Sequence, residues 1–361
     1  MDLYTLDENF LQQNIVDSFD SVIWTERYNA SGDCKLIVPT TSTTKAQLVE
    51  GLYLWTPDSK DVVLIDTVSD EDGKLTVTGN TITDILKMRI LRNAVSSDKN
   101  SWKLTGTPGG IVTTILTQMC MSGGSINSIL PDPGYEYLNL TVVDTSGGSS
   151  ETVAVSFGNV YDGVKAVCDD DDIGFRLYPS NILDGTGALT FDIYRGKDLT
   201  SDQSTNPLVF FDSAMESLSN VKELRSIAGY ATAAYAWPSG ATTSSHIGKA
   251  YVSGTQTTVG LKRRTIMVDA TDVNVSDYTT AELTTVMNRK AKDALANNNY
   301  VRLMDGQLVP QNVFKYGTDY TLGDVIELRS GSTKENARIT EYIRAQDNTG
   351  FQAYPTLTVV S

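Results

Sequence analysis

A mainly β fold with α+β insertions, spread over several domains, is predicted by three observations. The chain has 361 residues, above the size at which one hydrophobic core usually stops growing. Short apolar runs bounded by Gly, Pro, Asn and Asp fill the first hundred residues and return from Pro207 onward, the pattern of successive strands and turns. Between them, from Gly106, apolar residues fall at helical spacing. Four sections result: a barrel-like or sandwich-like β domain over 1–105, an α+β insertion over 106–204, a second β section over 205–300, and a C-terminal β domain over 301–361.

In the first section, Ser21 to Tyr28 and Cys34 to Pro39 flank the turn Asn29-Ala30-Ser31-Gly32, a hairpin with a longer loop in which Gly32 is expected to take the positive φ that such loops need. Strands follow at Gly51 to Trp55, Val62 to Ser69 and Lys74 to Gly79, the last two joined by Asp72-Gly73. Leu75, Val77 and Gly79 alternate with Thr76 and Thr78, the period of a half-buried strand. Thr83 to Arg89 reads as a short helix. In the insertion, Thr107 caps a helix over Ile111 to Met121, with Pro108 in its first turn,. A second helix covers Asn159 to Cys168, and strands Phe175 to Tyr178 and Leu189 to Tyr194 follow.

In the third section, Leu208 to Phe211 and then Leu218 to Ala236 read as strands. A loop rich in Ser, Thr and Gly spans Pro238 to Thr258, and Thr265 to Asp269 is a strand. Thr279 or Thr280 caps a helix over 281–296, whose face is marked by Leu283, Val286, Met287, Lys290 and Leu295,. Strands at Asp324 to Arg329, Arg338 to Ala345 and Gln352 to Val359 complete the chain. No repeat of roughly 20–50 residues is visible.

The 44 acidic and 29 basic residues give a net charge of −15, which argues against gripping nucleic acid through its phosphates. Cys34, Cys120 and Cys168 are scattered. They predict free buried or half-buried thiols in a chain folded in a reducing cytoplasm, neither a disulfide framework nor a zinc knuckle. The N-terminus lacks the basic-then-apolar order of a signal peptide, and no apolar run approaches the roughly 20 residues of a membrane span.

Catalytic chemistry finds little to work with. His246, the only histidine, lies in the polar loop SGATTSSHIGK, and a Ser-His-Asp or Cys-His mechanism would have to use it. Thr105 to Gly110 lacks the order of a phosphate-binding loop,. The run Asp169 to Asp172 offers oxygen ligands, but without the alternate spacing and turn glycine of a calcium loop. It also opposes the dipole of the helix it follows. A solvated loop is the expectation there, with a weak cation site or a charged contact surface as alternatives. The basic cluster Lys262-Arg263-Arg264 is expected to meet acidic neighbours or a partner subunit. No catalytic, cofactor-binding or metal-binding residue is assigned.

Several short sequences resemble, in order, the tail-hub family of siphophages, which includes baseplate hubs and the N-terminal hub module of tail-associated lysins. They are Trp24-Thr25-Glu26-Arg27-Tyr28 with Gly32 and Leu36-Ile37-Val38-Pro39, then Leu75-Thr76-Val77-Thr78-Gly79 with Ile85, Leu86 and Arg89. Phe175-Arg176, Phe191 to Asp198, Leu208 to Phe211, Ser219-Asn220-Val221 and Tyr320 to Ile326 continue the series.

The resemblance implies a non-enzymatic virion structural protein at the tail tip, made in the host cytoplasm. It would form a homotrimeric ring in which two barrel-like domains per subunit match a sixfold distal tail ring. The partners implied are that distal ring, the tail tube, the tape measure protein, and tip or receptor-binding proteins. DNA would pass through a channel without specific binding, and a neutral-to-negative lumen is expected from the acidic charge. Lysin-type members continue into a peptidase or glycosidase where this sequence stops at Ser361, so cell-wall cutting is expected of another protein. The rival reading is a cell-wall hydrolase or carbohydrate-binding β protein.

Overall fold

The computed structural model of the chain describes every residue except 93–100, 129, 131–136, 183, 309–313, 332 and 361. The first section holds β1 (Tyr4–Leu6), β2 (Gln12–Ile15), β3 (Ser21–Arg27), β4 (Asp33–Pro39), α1 (Ser42–Gln47), β5 (Tyr53–Trp55), β6 (Val62–Glu71) and β7 (Lys74–Thr81). β3 and β4 form the expected hairpin. At Gly32 a Cβ would lie 2.1 Å from the Thr25 carbonyl oxygen, so close backbone approach, not a positive φ, demands the glycine. Between β6 and β7, Asp72 and Gly73 take φ of +52° and +76°, the left-handed pair that matches the twist of a tight hairpin. The helix expected at 83–89 is a 3-10 helix, Ile82–Met88.

β8 (Ile90–Leu91) and β9 (Ser101–Gly106) close the first section, and the insertion adds α2 (Pro108–Cys120), β10 (Leu140–Asp144), β11 (Glu151–Ser156), β12 (Gly158–Asn159), α3 (Val160–Asp170), β13 (Gly174–Pro179) and β14 (Leu189–Tyr194), with β8 paired to β12 and β9 to β11. Thr107 caps α2 by accepting the Gly110 N–H, and Asn159 caps α3 by accepting that of Asp162, each satisfying an amide the helix leaves unpaired. Ile111, Ile115, Leu116 and Met119 of α2 share a core with Val160, Val164 and Val167 of α3 and with Phe175, Phe191 and Ile193. Cys34, Cys120 and Cys168 are free and buried. Burial pushes the Cys120 thiol up to about 12 and the other two upward as well, so all three behave as small apolar residues.

The third section contains β15 (Phe210–Asp212), β16 (Leu218–Ser226), β17 (Ala233–Ser239), β18 (Gly248–Tyr251), β19 (Thr265–Asn274) and α4 (Thr280–Ala296), and β20 (Val301–Leu308) opens the last section. The polar loop expected over Pro238 to Thr258 contains β18, which pairs with β17. Its Ser/Thr/Gly-rich surroundings hide the strand. Thr279 and Glu282 form a capping box at the start of α4,. Leu283, Val286, Met287, Ala291 and Leu295 pack on Ala234, Ala236 and Ala270. Ala291, not Lys290, completes the buried stripe, and Lys290 instead pairs with Asp272 at 2.8 Å. A Cβ at Gly248 would lie 2.1 Å from the Met287 carbonyl oxygen, so the helix sits this close because the sheet is built of alanine and glycine.

The last section supplies β21 (Val325–Ser330), β22 (Thr333–Asp347) and β23 (Gly350–Val359). β22 spans 15 residues. Its first part pairs with β21 and its second part with β3, while β23 lines its other edge. Strands of 1–105 and 301–361 therefore share one sheet, in the order β15-β21-β22-β3-β4-β7-β6-β5-β1-β2 with β23 on β22. A small closed barrel, expected for 1–105, is not found among the described residues: the order is open, with β15 and β2 at its ends. The protein is mainly β, with its longer helices in the insertion and behind the β17–β19 sheet. No helix among the described residues is long and apolar enough to cross a membrane.

Candidate functional site: the acidic joint after the third helix

His246 lies at the end of a 3-10 turn, where its Nδ1 accepts the Thr242 N–H at 3.4 Å. It is a partner within its own loop. The start of α2, where a phosphate loop would hold its anion, is filled from within: a Cβ at Gly109 would lie 2.2 Å from the Asp144 carboxylate, so the protein's own anion occupies the helix N-terminus. Among the described residues no group of three or more His, Cys, Asp or Glu is placed to hold a metal ion. Arg263 reaches the Thr255 and Gln256 carbonyls and the Tyr235 hydroxyl, and Arg264 the Ala228 carbonyl. The expected acidic neighbours of this cluster are thus replaced by neutral oxygens.

The Asp169 to Asp172 run is the clearest correction. It is not a free loop: Asp169 and Asp170 end α3, and each of the four residues is tied to another element, while Asp169 and Asp172 stay exposed. Asp169 accepts from Lys165 Nζ at 2.8 Å and from Asn29 Nδ2 at 2.7 Å. Asp170 and Asp171 share the guanidinium of Arg289 on α4, with Nε at 2.8 Å and Nη2 at 2.9 Å. The third arm of that guanidinium, Nη1, meets Glu151. The Asp171 carbonyl accepts from Arg195 at 2.6 Å. Asp172, at φ +54°, lies 3.5 Å from Arg338, and its carbonyl accepts the Tyr28 hydroxyl at 2.9 Å. Acids after a helix C-terminus oppose its dipole, and the forked guanidiniums that converge there supply the compensating charge.

Tyr28 locks the same joint from the other side. Its ring fills space that exists only because two neighbours lack a side chain: a Cβ at Gly174 or Gly323 would come within 2.2 Å or 2.1 Å of it. Its hydroxyl also accepts the Gly196 N–H at 3.2 Å. Two residues earlier, in β3, Glu26 is buried with Arg344 of β22, Oε1 to Nη1 2.7 Å. Its second oxygen accepts the Tyr316 hydroxyl at 2.8 Å, and Arg344 donates to the Asp58 carbonyl at 2.9 Å. Because Trp24 pairs with Arg344 and Glu26 with Tyr342, the ion pair runs diagonally across the two strands. Arg27, the next residue along, bridges Asp33 and Glu341.

Sequence reasoning marked the acidic run but missed its partners Arg289, Arg338 and Arg195. A charge reading could have flagged Arg289, a cation in the second half of α4 beside the apolar stripe. Its match to Asp170 and Asp171, over a hundred residues earlier, has no local trace.

The joint also titrates. Burial and the neighbouring Asp170 carboxylate push Asp293 up to about 7, and burial raises Asp170 as well. Burial likewise lifts Asp61, beside Arg176 and Glu26, to about 7. Such groups hold protons in the folded state that the unfolded chain has lost. Their contribution is complete below the ordinary carboxyl value and disappears as pH rises through about 7. The melting temperature is expected to fall from about pH 5 to about pH 8, and Asp293→Asn should flatten that slope without abolishing it, since Asp61 remains. Calorimetry across this range checks it; an unchanged slope in the variant would refute the assignment.

These groups act as a connector. The carboxylates are already engaged, and the guanidiniums bind across sections that lie far apart in sequence. Beside the joint, an open cleft of about 380 Å³ is lined by Val153, Gly158, Asp170, Arg289 and Asp293 among others.

The whole architecture occurs in phage tail proteins. The fold is similar to the 43 kDa tail protein of prophage MuSo2 from Shewanella oneidensis, at TM-score 0.59 and 11% identity over 100% of this chain and 98% of that one. It is similar to prophage tail protein gp18 from Listeria monocytogenes EGD-e, at TM-score 0.55 and 11% identity over 100% and 95%. A tail protein from Neisseria meningitidis MC58 gives TM-score 0.57 and 8% identity over 100% and 96%. No curated protein matches the sequence significantly. The profile described as Siphovirus ReqiPepy6 Gp37-like protein matches residues 2–357. With nearly its full length covered by that match, the chain belongs to the Siphovirus ReqiPepy6 Gp37-like family of bacteriophage tail proteins.

Proposed function

We propose that the chain is the structural hub subunit at the distal end of a siphophage tail, present as a homotrimer around a channel for genome ejection. The observation that carries this reading is the acidic joint: one short run binds the start, the insertion, α4 and the last sheet strands into a single block. That suits a ring subunit that must carry force. The open large sheet adds support, because a ring wall can be completed between subunits when no subunit closes a barrel alone. In this arrangement the β sections 1–105 and 205–300 furnish two barrel-like wall segments per chain, three chains matching a sixfold distal tail ring. Section 106–204 lies outside, while the strands of 301–361 that share the large sheet with 1–105 belong to the wall, with the tape measure protein within and tip or receptor-binding proteins below. DNA passes without specific binding along a neutral-to-negative lumen. A symmetry-free reconstruction of the tail tip is expected to show three copies; six copies or one would overturn the trimer.

The hub carries no hydrolase in this reading. Purified protein is expected to leave host cell wall intact in zymography. Clearing that is lost when a single carboxylate becomes its amide would establish an enzyme instead.

A further inference from the structure

The β17–β18–β19 sheet has two faces of opposite character. One is closed by α4. On the other, Lys249 pairs with Tyr235 and Tyr235 with Met267, so these three side chains stand in one row, with Trp237 and Asp269 in the next. Met267 is 73% exposed and Trp237 43%. On the turn leading into β19, Val259 and Leu261 are exposed to 80% and 103%.

These groups are held in place rather than splayed. Tyr235 and Tyr251 meet edge to face, with their hydroxyls 3.3 Å apart. Arg263 lies over the Tyr251 ring and donates to the Tyr235 hydroxyl at 3.1 Å. Rigid aromatics with Met and Arg are the residue types enriched at protein–protein contacts, and a contiguous bare apolar face on a soluble sheet marks such a site. Its cations are Lys249 in the Tyr235 row and Arg263 over Tyr251, with exposed Lys262 next to Leu261 in the chain. Asp269, the acid of the outward rows, is engaged with the Thr271 N–H at 3.0 Å.

A surface of complementary character lies at the far end of the large sheet. β2 is the last strand of the order, so one of its edges is unpaired. Leu11 and Ile15 are exposed there, beside exposed Glu8 and Asp17. Exposed apolar side chains flanked along the chain by acids on one surface complement exposed aromatic and apolar side chains accompanied mainly by cations on the other. We propose that the outer face of β17–β18–β19 seats on the acidic β2 edge of a second copy of this chain. Because the two surfaces differ, the contact is head to tail, the type that closes into a ring rather than a twofold dimer. The inference rests on the hub reading above and names the face that would build its ring.

Sedimentation velocity on the full chain tests it, at low and high salt. The wild type is expected to self-associate, more weakly as salt screens the charged groups. Leu261→Glu, at a fully exposed position that cannot disturb the fold, and Met267→Glu should each weaken association at least about tenfold, because a carboxylate is trapped in an apolar contact. Ile15→Glu should do the same from the other surface. The mixture decides the geometry. A Met267→Glu chain and an Ile15→Glu chain each keep one intact surface, so together they should form a 1:1 dimer that grows no further. The proposal is overturned if the wild type stays monomeric at every concentration, if these variants associate like wild type, if the mixture stays monomeric, or if the face binds only a different tail protein. Three copies at the tail tip with indifferent variants would reject this face and leave the hub reading standing. Six copies with the expected mixing behaviour would do the reverse.

Discussion

Arg289→Met is expected to lower stability at neutral pH by roughly 3–5 kcal/mol, the cost of removing one partner from a buried ionic cluster. Arg289 is 11% exposed and its guanidinium engages Glu151, Asp170 and Asp171 at once. Without it three carboxylates converge unpaired after a helix C-terminus, with Asp293 beside them. The carboxyls can relieve this repulsion by taking up protons, so the loss should shrink as pH is lowered toward about 4. Arg289→Lys keeps a charge but cannot serve three acids with one planar fork, and an intermediate loss is expected. Calorimetry offers a second readout. With the Arg289 link between α4 and the insertion gone, and Lys103 of β9 still pairing with Glu282 of α4, the β17–β19 sheet and its helix are expected to melt ahead of the rest, against a single transition expected of the wild type. A variant as stable as wild type, melting in a single transition, would show that the joint holds nothing together.

Arg344→Met is expected to cost a similar amount, about 3–5 kcal/mol, but with the opposite response to repair. The pair it breaks is nearly fully buried, at 7% and 3% side-chain exposure for Arg344 and Glu26. The single variant leaves the Glu26 carboxylate in the interior with the Tyr316 hydroxyl as its remaining donor. Removing both charges, as Glu26→Leu with Arg344→Met, should recover most of the loss, because the desolvation of two ions is avoided together with their attraction. Urea unfolding of the two singles and the double measures the coupling. A double variant as unstable as the sum of the singles would mean that the pair contributes through shape rather than charge.

Much of the local structure was legible in the sequence. The Asp72-Gly73 turn, the Thr107-Pro108 helix start and the Thr279/Glu282 capping box are short-range devices, written within a few residues and realised as written. The strands with period-2 apolar spacing were also readable. Elements without a local signature were not: β18 lies in a polar loop, and α1 caps itself through Thr41 and Thr44 with no buried residue. The segment Trp24 to Tyr28 shows the boundary between the two kinds of information. Its resemblance to tail hubs was visible, but its composition gave no reason for five such different residues in a row. In the fold they part company. Trp24 enters the core, the Thr25 carbonyl abuts Gly32, and Glu26 lies under Arg344. Arg27 spans Asp33 and Glu341, and Tyr28 fills a pocket made by two glycines.

Most element types, the buried thiols and the family could be read from the order of residues, because propensity, periodicity and short motifs act over a few residues to a few tens. Only the folded chain reveals that the first and last strands share one open sheet and that Asp169 to Asp172 is a joint rather than a loop. Those outcomes depend on which distant surfaces can bury area and neutralise charge together. Arg289 reaches Asp170 across more than a hundred residues, and that pairing is set by the packing of α4 on its alanine-lined sheet rather than by anything near either residue.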